Sequence, residues 1–266
     1  MAQQESYIDR TFGLTGKRVI VTGASSGLGE VFARSIAQAG AVVALVARRA
    51  DRLESLASEI RANGGEAHAI VADLEQREDC LRMMEQASAA LGGLDVLINN
   101  AGVADLARPE KLSAEEWRRV LAIDLDAVFH TAQAAGRILI AQGNGGRIIN
   151  ISSVVGSFGN SVFPTTAYAA AKAGVEGLTR QLACEWGPHG ITVNAVAPGW
   201  FPTEMNVDPR HGDVHPKYKE MMIERIPLKR LGNPEELAGA VIFLASAAGE
   251  YVTGSVLRVD GGWTTW

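Results

Sequence analysis

At 266 residues, with 47% hydrophobic and 21% charged side chains, the chain has the make-up of a globular protein able to bury roughly 70–75% of its unfolded surface. A net charge of −5, with no basic patch interleaved with aromatics, argues against nucleic acid and anionic membrane as partners. Its apolar runs are strand-length, short of the roughly 18 residues that span a bilayer; Met1–Arg10 is polar, Cys80 and Cys184 read as buried small hydrophobes rather than a bridge, and a cytoplasmic location is expected.

Strand and helix patterns alternate along the chain. Residues 1–12 read as an N-terminal tail, and Arg18–Thr22 is a short β-branched run that reads as a buried strand. A glycine-rich turn, Thr22-Gly23-Ala24-Ser25-Ser26-Gly27-Leu28-Gly29, leads from it into a helix over Gly29–Ala39. Further strands are expected at Val42–Ala47, Ala67–Ala72, Val96–Asn99, Arg147–Ile151, Thr192–Ala197 and Val256–Val259. Helices are expected at Arg52–Asn63, Glu78–Leu91, Glu115–Gln142, Tyr168–Trp186 and Pro234–Ala245, with glycine-rich breaks between elements. Most strands are continuous apolar runs, the pattern of a parallel sheet covered on both faces. The expected fold is a doubly wound (Rossmann) α/β sheet of about seven strands with helices on both faces. No linker or repeat divides it, so residues 1–266 read as a single dinucleotide-binding and catalytic domain.

Two patterns carry chemistry. The first is the glycine turn, Gly-x-x-x-Gly-x-Gly between a buried strand and a helix start, which suits a phosphate cradle. Glycines let the backbone approach a pyrophosphate, and the helix start supplies N–H groups and positive dipole. The second is Tyr168 and Lys172, four residues apart in an alanine-rich helical run, hence on one helix face. A neighbouring ammonium favours the phenolate and is expected to lower the tyrosine pKa from about 10 toward neutrality. Ligands of such sheets bind beyond the carboxyl ends of the strands. Gly23–Gly29, Asn99–Gly102, Ser153 and Pro198–Thr203 all follow strands there.

From about Leu14 to Gly262 these motifs, in this order, resemble the short-chain dehydrogenase/reductase family in its single-domain form: Thr22–Gly29, Asp73, Asn99-Asn100-Ala101-Gly102, Ser153, Tyr168/Lys172, Pro198-Gly199 with Thr203, and Asp260-Gly261-Gly262. The resemblance implies an NAD(P)-dependent oxidoreductase that interconverts a ketone and a secondary alcohol. Ser153 would bond the substrate carbonyl, Tyr168 exchange its proton, and Lys172 hold the nicotinamide ribose. Ser152 is the rival serine, read as structural. Gly23, Ser25, Ser26, Gly27, Leu28 and Gly29 would carry the diphosphate, Asp73 and Leu74 the adenine, and Asn100, Ala101 and Gly102 the adenosine side. Pro198, Gly199 and Thr203 would meet the nicotinamide end. The position where NAD users carry an acid matches Ala47, and Arg48 follows it. A guanidinium there suits a 2′-phosphate, so NADP(H) is expected in preference to NAD(H); no metal is expected.

The chain departs from the family pattern at two places. Asp124 stands where the family has an active-site asparagine, and is expected to hold a water by its backbone carbonyl and to pair with Lys172, the other reading being a solvated charge. The loop from Ser153 to Tyr168 is about two residues longer than usual. Val162, Phe163, Trp200, Phe201 and Met205 are expected to wall an apolar pocket, and the irregular stretch 203–229 to form a substrate lid. The expected partner is thus a hydrophobic or bulky small-molecule carbonyl or alcohol. The alternatives are a 3-oxoacyl-carrier-protein reductase, which would usually carry basic residues where Asn144 and His189 stand, and a cofactor-binding protein without turnover. A homo-oligomer, tetramer or dimer, is expected through the long helices and the tryptophan-bearing end, Trp263–Trp266.

Overall fold

The continuous apolar runs form the middle of a seven-stranded parallel sheet. In the computed structural model of the chain, residues 6–104, 106–159, 162–204, 207–208, 213–214 and 216–265 are described. The strands are β1 (Arg18–Thr22), β2 (Val42–Ala47), β3 (Glu66–Val71), β4 (Val96–Asn99), β5 (Gly146–Ile151), β6 (Ile191–Pro198) and β9 (Val256–Val259). Their order is β3-β2-β1-β4-β5-β6-β9, every neighbouring pair parallel. The chain winds outward from β1 in one direction and then, from β4, in the other. That reversal opens a crevice between the carboxyl ends of β1 and β4.

Alternation along each strand builds two cores. Val19 and Val21 face α2 (Gly27–Gln38), α3 (Ala50–Ala62) and α9 (Pro234–Ala245), packing with Phe32, Ile36, Leu53 and Val241. Ile20, between them, faces α4 (Arg77–Leu91), α6 (Ala127–Gln142) and α7 (Thr166–Trp186), packing with Met83, Met84, Leu139 and Leu182. Period two in the strands against period 3.6 in the helices explains both layers. No helix among the described residues is long and apolar enough to cross a membrane.

The differences from the sequence expectation have local causes. Residues 1–12 were expected as a tail, but Tyr7–Phe12 forms a short helix, α1. Ser6 caps it by accepting from the Asp9 amide, a polar signal that apolar periodicity does not report. The expected helix Glu115–Gln142 is broken in two: α5 (Ala114–Leu121) and α6 flank a π-helical turn, Ala122–Asp126. The 203–229 stretch is not wholly irregular: it contains a two-stranded ribbon, β7 (Val207–Asp208) with β8 (Asp213–Val214), and helix α8 (Pro216–Arg225). Cys80 is buried, but Cys184 is exposed because it falls outside the α7 stripe formed by Val175, Thr179, Leu182 and Ala183.

A buried polar chain ties the strand ends together. Asn99 at the end of β4 donates from Nδ2 to Asn150 Oδ1 of β5 (3.0 Å) and accepts from Thr131 Oγ1 of α6 (2.8 Å). Asn150 donates in turn to Thr179 Oγ1 of α7 (3.0 Å). Asn99, Thr131, Asn150 and Thr179 are all buried, so each bond replaces lost hydration. Asn150→Ala leaves both the Asn99 amide and the Thr179 hydroxyl short of a partner, and should lower stability by about 2–4 kcal/mol. Urea unfolding at unchanged m-value would show it as a lower midpoint; a loss below about 1 kcal/mol would mean that the network relaxes or admits water.

Candidate active site

Thr22, the last residue of β1, begins the site. Its hydroxyl accepts from the amides of Asn100 (2.9 Å) and Ala101 (3.1 Å), and its carbonyl accepts from Asn100 Nδ2 (3.0 Å). These bonds hold the end of β4 against the glycine turn. Gly23 and Gly29 pack so closely that a side chain at Gly29 would collide with the Gly23 carbonyl and the Asn100 amide. Gly27 opens α2 at φ +57°, a conformation that favours glycine. The first turn of α2, whose N–H groups have no partner within the helix, therefore faces the crevice at close range.

A cavity of about 840 Å³ runs along this crevice. Gly23, Ser25, Ser26, Gly27 and Leu28 wall it on one side, with Arg48, Asp73 and Leu74 at one end. Asn100, Ala101, Gly102, Pro198, Gly199 and Thr203 wall its middle, and Ser153, Tyr168 and Lys172 its other half. Gly29 lies beneath the turn, in contact with Gly23 and Asn100, rather than on the wall. Gly199 reaches its place by close approach to Asp260 of the Asp260-Gly261-Gly262 turn, where a Cβ would come within 2.7 Å of the Asp260 Cα.

Lys172 is buried on the side of the cavity walled by Ser153 and Tyr168. Its Nζ lies 3.0 Å from Asp124 Oδ1 and donates to the Ile151 carbonyl at 3.0 Å. Asp124 is fully buried, and its Oδ2 accepts from the Val103 amide at 2.9 Å. The π-helical turn carries Asp124 to this position, beside Gly102, where a Cβ would come within 2.5 Å of Oδ1. The reading of Asp124 as a solvated charge is thereby excluded; its carboxylate pairs with the lysine directly. Burial opposes the Lys172 charge, but Asp124, aided by Tyr168, holds its pKa above the ordinary lysine value.

The Tyr168 ring lies under the Lys172 ammonium, 5.3 Å from centroid to Nζ, and Ser153 is a hydrogen-bond partner of the phenol. The expected lowering of its pKa does not occur. Desolvation pushes the phenol up; Lys172 pulls it down, but the Asp124 carboxylate opposes that pull, and the net direction is upward. Asp124, beside the lysine, opposes the field that Tyr168 feels from it.

Ser152 stands apart from this group. It is buried and donates to the Lys172 carbonyl (3.3 Å) and to Glu176 Oε1 (3.2 Å). Ser157 donates to Glu176 Oε2 at 2.6 Å. Glu176, one turn beyond Lys172, is thus a buried anchor between α7 and the segment after β5, which sequence reasoning missed; its signal was the i+4 spacing from Lys172.

At the other end, Arg48 is exposed on the cavity rim, while Arg49 makes the contacts. Arg49 donates to Ser25 Oγ (3.2 Å), Ser26 Oγ (2.6 Å) and Glu204 Oε2 (3.2 Å), and Arg52 donates to Glu204 Oε1 (2.7 Å). Arg49, Arg52 and Glu204 were not anticipated from sequence. Of the expected pocket residues, Phe163 and Trp200 line the cavity with Tyr218, and their rings pack at a tilt, Phe163 against Trp200 at 5.6 Å and against Tyr218 at 4.9 Å. Phe201 borders the cavity but is 5% exposed, its ring packed against Gly232 in the core. Val162 is not on the wall, and Met205 lies outside the described residues. Trp263 packs edge-on to Trp200 at 5.4 Å; Trp266 lies outside the described residues.

A family model described as enoyl-(acyl carrier protein) reductase matches residues 23–264. The chain belongs to the short-chain dehydrogenase/reductase family of oxidoreductases. It is 39% identical to a galactitol 2-dehydrogenase (L-tagatose-forming) of Cereibacter sphaeroides, covering 96% of this chain and 98% of that one. It is 40% identical to a 3-oxoacyl-(acyl-carrier-protein) reductase of Pseudomonas aeruginosa, covering 94% and 98%. A solved gluconate 5-dehydrogenase of Burkholderia cenocepacia, in complex with NADP and tartrate, superposes with a TM-score of 0.91 at 35% identity, covering 98% of this chain and 100% of that one.

Removing the buried counter-charge isolates its worth. Asp124→Ala leaves an unpaired ammonium and should lose about 3–5 kcal/mol of stability; Asp124→Asn, which can still accept from the Val103 amide, should lose less. The Lys172 contribution has a defined sign with pH. Because the folded pKa is raised, it is complete below the ordinary lysine value of about 10.4 and disappears as pH rises through the folded value. Denaturant titrations of both variants at neutral and alkaline pH check this. A cost below about 1 kcal/mol for the alanine variant would show that the pair behaves as an exposed one.

Proposed function

We propose that the chain is an NAD(P)-dependent oxidoreductase that interconverts a hydrophobic or bulky ketone and its secondary alcohol. The observation that carries this is the meeting of Ser153, Tyr168 and Lys172 on the wall of the same cavity as the glycine turn. The cradle fits a dinucleotide: side chains at Gly23 and Gly29 would collide with Ala101, Asn100 and the turn itself and push it out of shape, and the α2 start faces the cavity. Gly23–Leu28, Asp73, Leu74, Asn100–Gly102, Pro198, Gly199 and Thr203 would hold the cofactor, which when bound supplies or accepts the hydride.

The chain's own residues supply orientation and a proton. The Ser153 hydroxyl bonds the substrate oxygen, and Tyr168 gives its phenolic proton to that oxygen in reduction. Lys172, held charged by Asp124, steadies the charge left on the phenol. Tyr168, its pKa raised, stands protonated at neutral pH, so reduction needs no prior ionisation. In the reverse direction the phenolate would act as base, favoured by rising pH.

NADP(H) is the preferred cofactor on this reading. Ala47 at the end of β2 offers no carboxylate to ribose hydroxyls, and Arg48 and Arg49 stand on the rim beside Ser25 and Ser26. The Burkholderia relative's complex with NADP supports the same choice. For the substrate, Leu106, Val155, Phe163, Trp200 and Tyr218 make the wall apolar and aromatic. A polyol or sugar acid of the kind named for the galactitol and gluconate relatives would leave hydroxyls facing that wall unpaired. A 3-oxoacyl thioester is the second reading, since the Pseudomonas relative is such a reductase and an acyl chain suits an apolar wall. The domain reading, one unit over 1–266, and a homo-oligomeric assembly belong to the same proposal; Phe129 and Ile140, exposed on α6, are available to such an interface.

Nicotinamide fluorescence with a panel of aromatic ketones, polyols, sugar acids and 3-oxoacyl thioesters, run with both cofactors, tests this. The expected result is turnover of aromatic or long-chain ketones with NADPH, and a loss of about 100-fold or more in kcat for Tyr168→Phe with cofactor binding retained. Near-parental kcat in that variant would remove Tyr168 from the reaction. Cofactor binding with no turnover of any class would favour the non-catalytic reading.

A further inference from the structure

The strongest unassigned feature is the charge cluster at the adenosine end of the cavity. Arg49 spans the two serines of the glycine turn and reaches Glu204, with Nη1 and Nη2 each 3.2 Å from Glu204 Oε2. Arg52 holds the other carboxylate oxygen at 2.7 Å. Glu204 follows Thr203 in the segment after β6, so it comes to the arginines from across the crevice. Its carboxylate therefore occupies donors of the type, and at the place, that a phosphate monoester on the adenosine ribose would need.

We infer that Glu204 is a cofactor-discriminating residue: its carboxylate competes with a cofactor 2′-phosphate for Arg49 and Arg52. This rests on the reading that a nicotinamide dinucleotide binds along this cavity with its adenosine end at Arg48 and Arg49. Two anions cannot share one pair of guanidinium groups without repulsion, so a 2′-phosphate gains the arginines only as Glu204 leaves them. Departure is easy, because the Glu204 and Arg49 side chains are half-exposed and such pairs are weak. A cofactor without the phosphate brings neutral hydroxyls and leaves the Glu204 pairs intact. The residue therefore narrows the preference for the phosphorylated cofactor that the arginines alone would create. It does so without an acid at the end of β2, where Ala47 stands.

The test uses fragments that carry the adenosine end alone. Adenosine 2′,5′-bisphosphate and adenosine 5′-monophosphate are titrated calorimetrically, at low ionic strength where surface charges are least screened, into the parent protein, Glu204→Gln and Arg49→Ala. The expected result is that Glu204→Gln binds the bisphosphate about 3–10-fold more tightly and the monophosphate within about twofold of the parent. Arg49→Ala should weaken the bisphosphate more than the monophosphate. An unchanged or weakened bisphosphate affinity in Glu204→Gln, or equal tightening of both nucleotides, overturns the competition. If Arg49→Ala still behaves as expected, that failure leaves the cofactor reading standing. Parent protein that binds the bisphosphate no better than the monophosphate overturns both the phosphate reading and the role of Glu204.

Discussion

A lysine ammonium buried in a protein needs a counter-charge, and here it is the Asp124 carboxylate at 3.0 Å. The rest of the site is arranged around that pair. The π-helical turn exists where Asp124 must reach inward, Gly102 is small where its carboxylate passes, and the Val103 amide satisfies its second oxygen. Desolvating two charges is expensive, so such a pair stabilises little in itself; its value lies in holding Lys172 charged beside Tyr168. Burial pushes the Tyr168 phenol upward, and the same carboxylate adds to that push against the lysine's pull, so the phenol keeps its proton.

The pair is placed by the strand ends. Asn99, Asn150 and Thr179 link β4, β5 and α7 in the buried layer beneath the cavity, and Thr22 links β1 to the residues after β4. Ser152 and Glu176 fasten α7 to the segment after β5, one turn from Lys172. The side chains on the cavity wall thus rest on polar contacts that are themselves out of water. Such supports hold Lys172 and its neighbours in place more tightly than loop packing would.

The sheet was legible because both of its faces are covered. Val42–Ala47 and Val96–Asn99 are unbroken apolar runs, and their ends fall where the polarity changes. The residues around the cavity were legible for a related reason: turns at the carboxyl ends of parallel strands converge on one rim. The π-helical turn was not legible, since Ala122–Asp126 keeps helical spacing on both sides and the insertion shows only in backbone geometry. Arg48 and Arg49 were hard to separate because the strand's alternation ends at Ala47 and the first turn of α3 has yet to begin. Glu204 was invisible for another reason, as its partners lie 155 and 152 residues away in the chain. The direction of the Tyr168 shift depended on burial and on Asp124 together, and the spacing of tyrosine and lysine reports neither.

The central claim is that Asp124 holds Lys172 charged. Lysine side-chain NMR on protein labelled at the ε carbon and ζ nitrogen, with the Lys172 signal assigned by its absence from Lys172→Gln, measures that charge directly. In the parent protein the Lys172 signal should titrate above the ordinary lysine value of about 10.4, and in Asp124→Asn it should move downward, because burial then acts without a counter-charge. A Lys172 titration at or below the ordinary value in the parent, or one that Asp124→Asn leaves in place, would contradict the account.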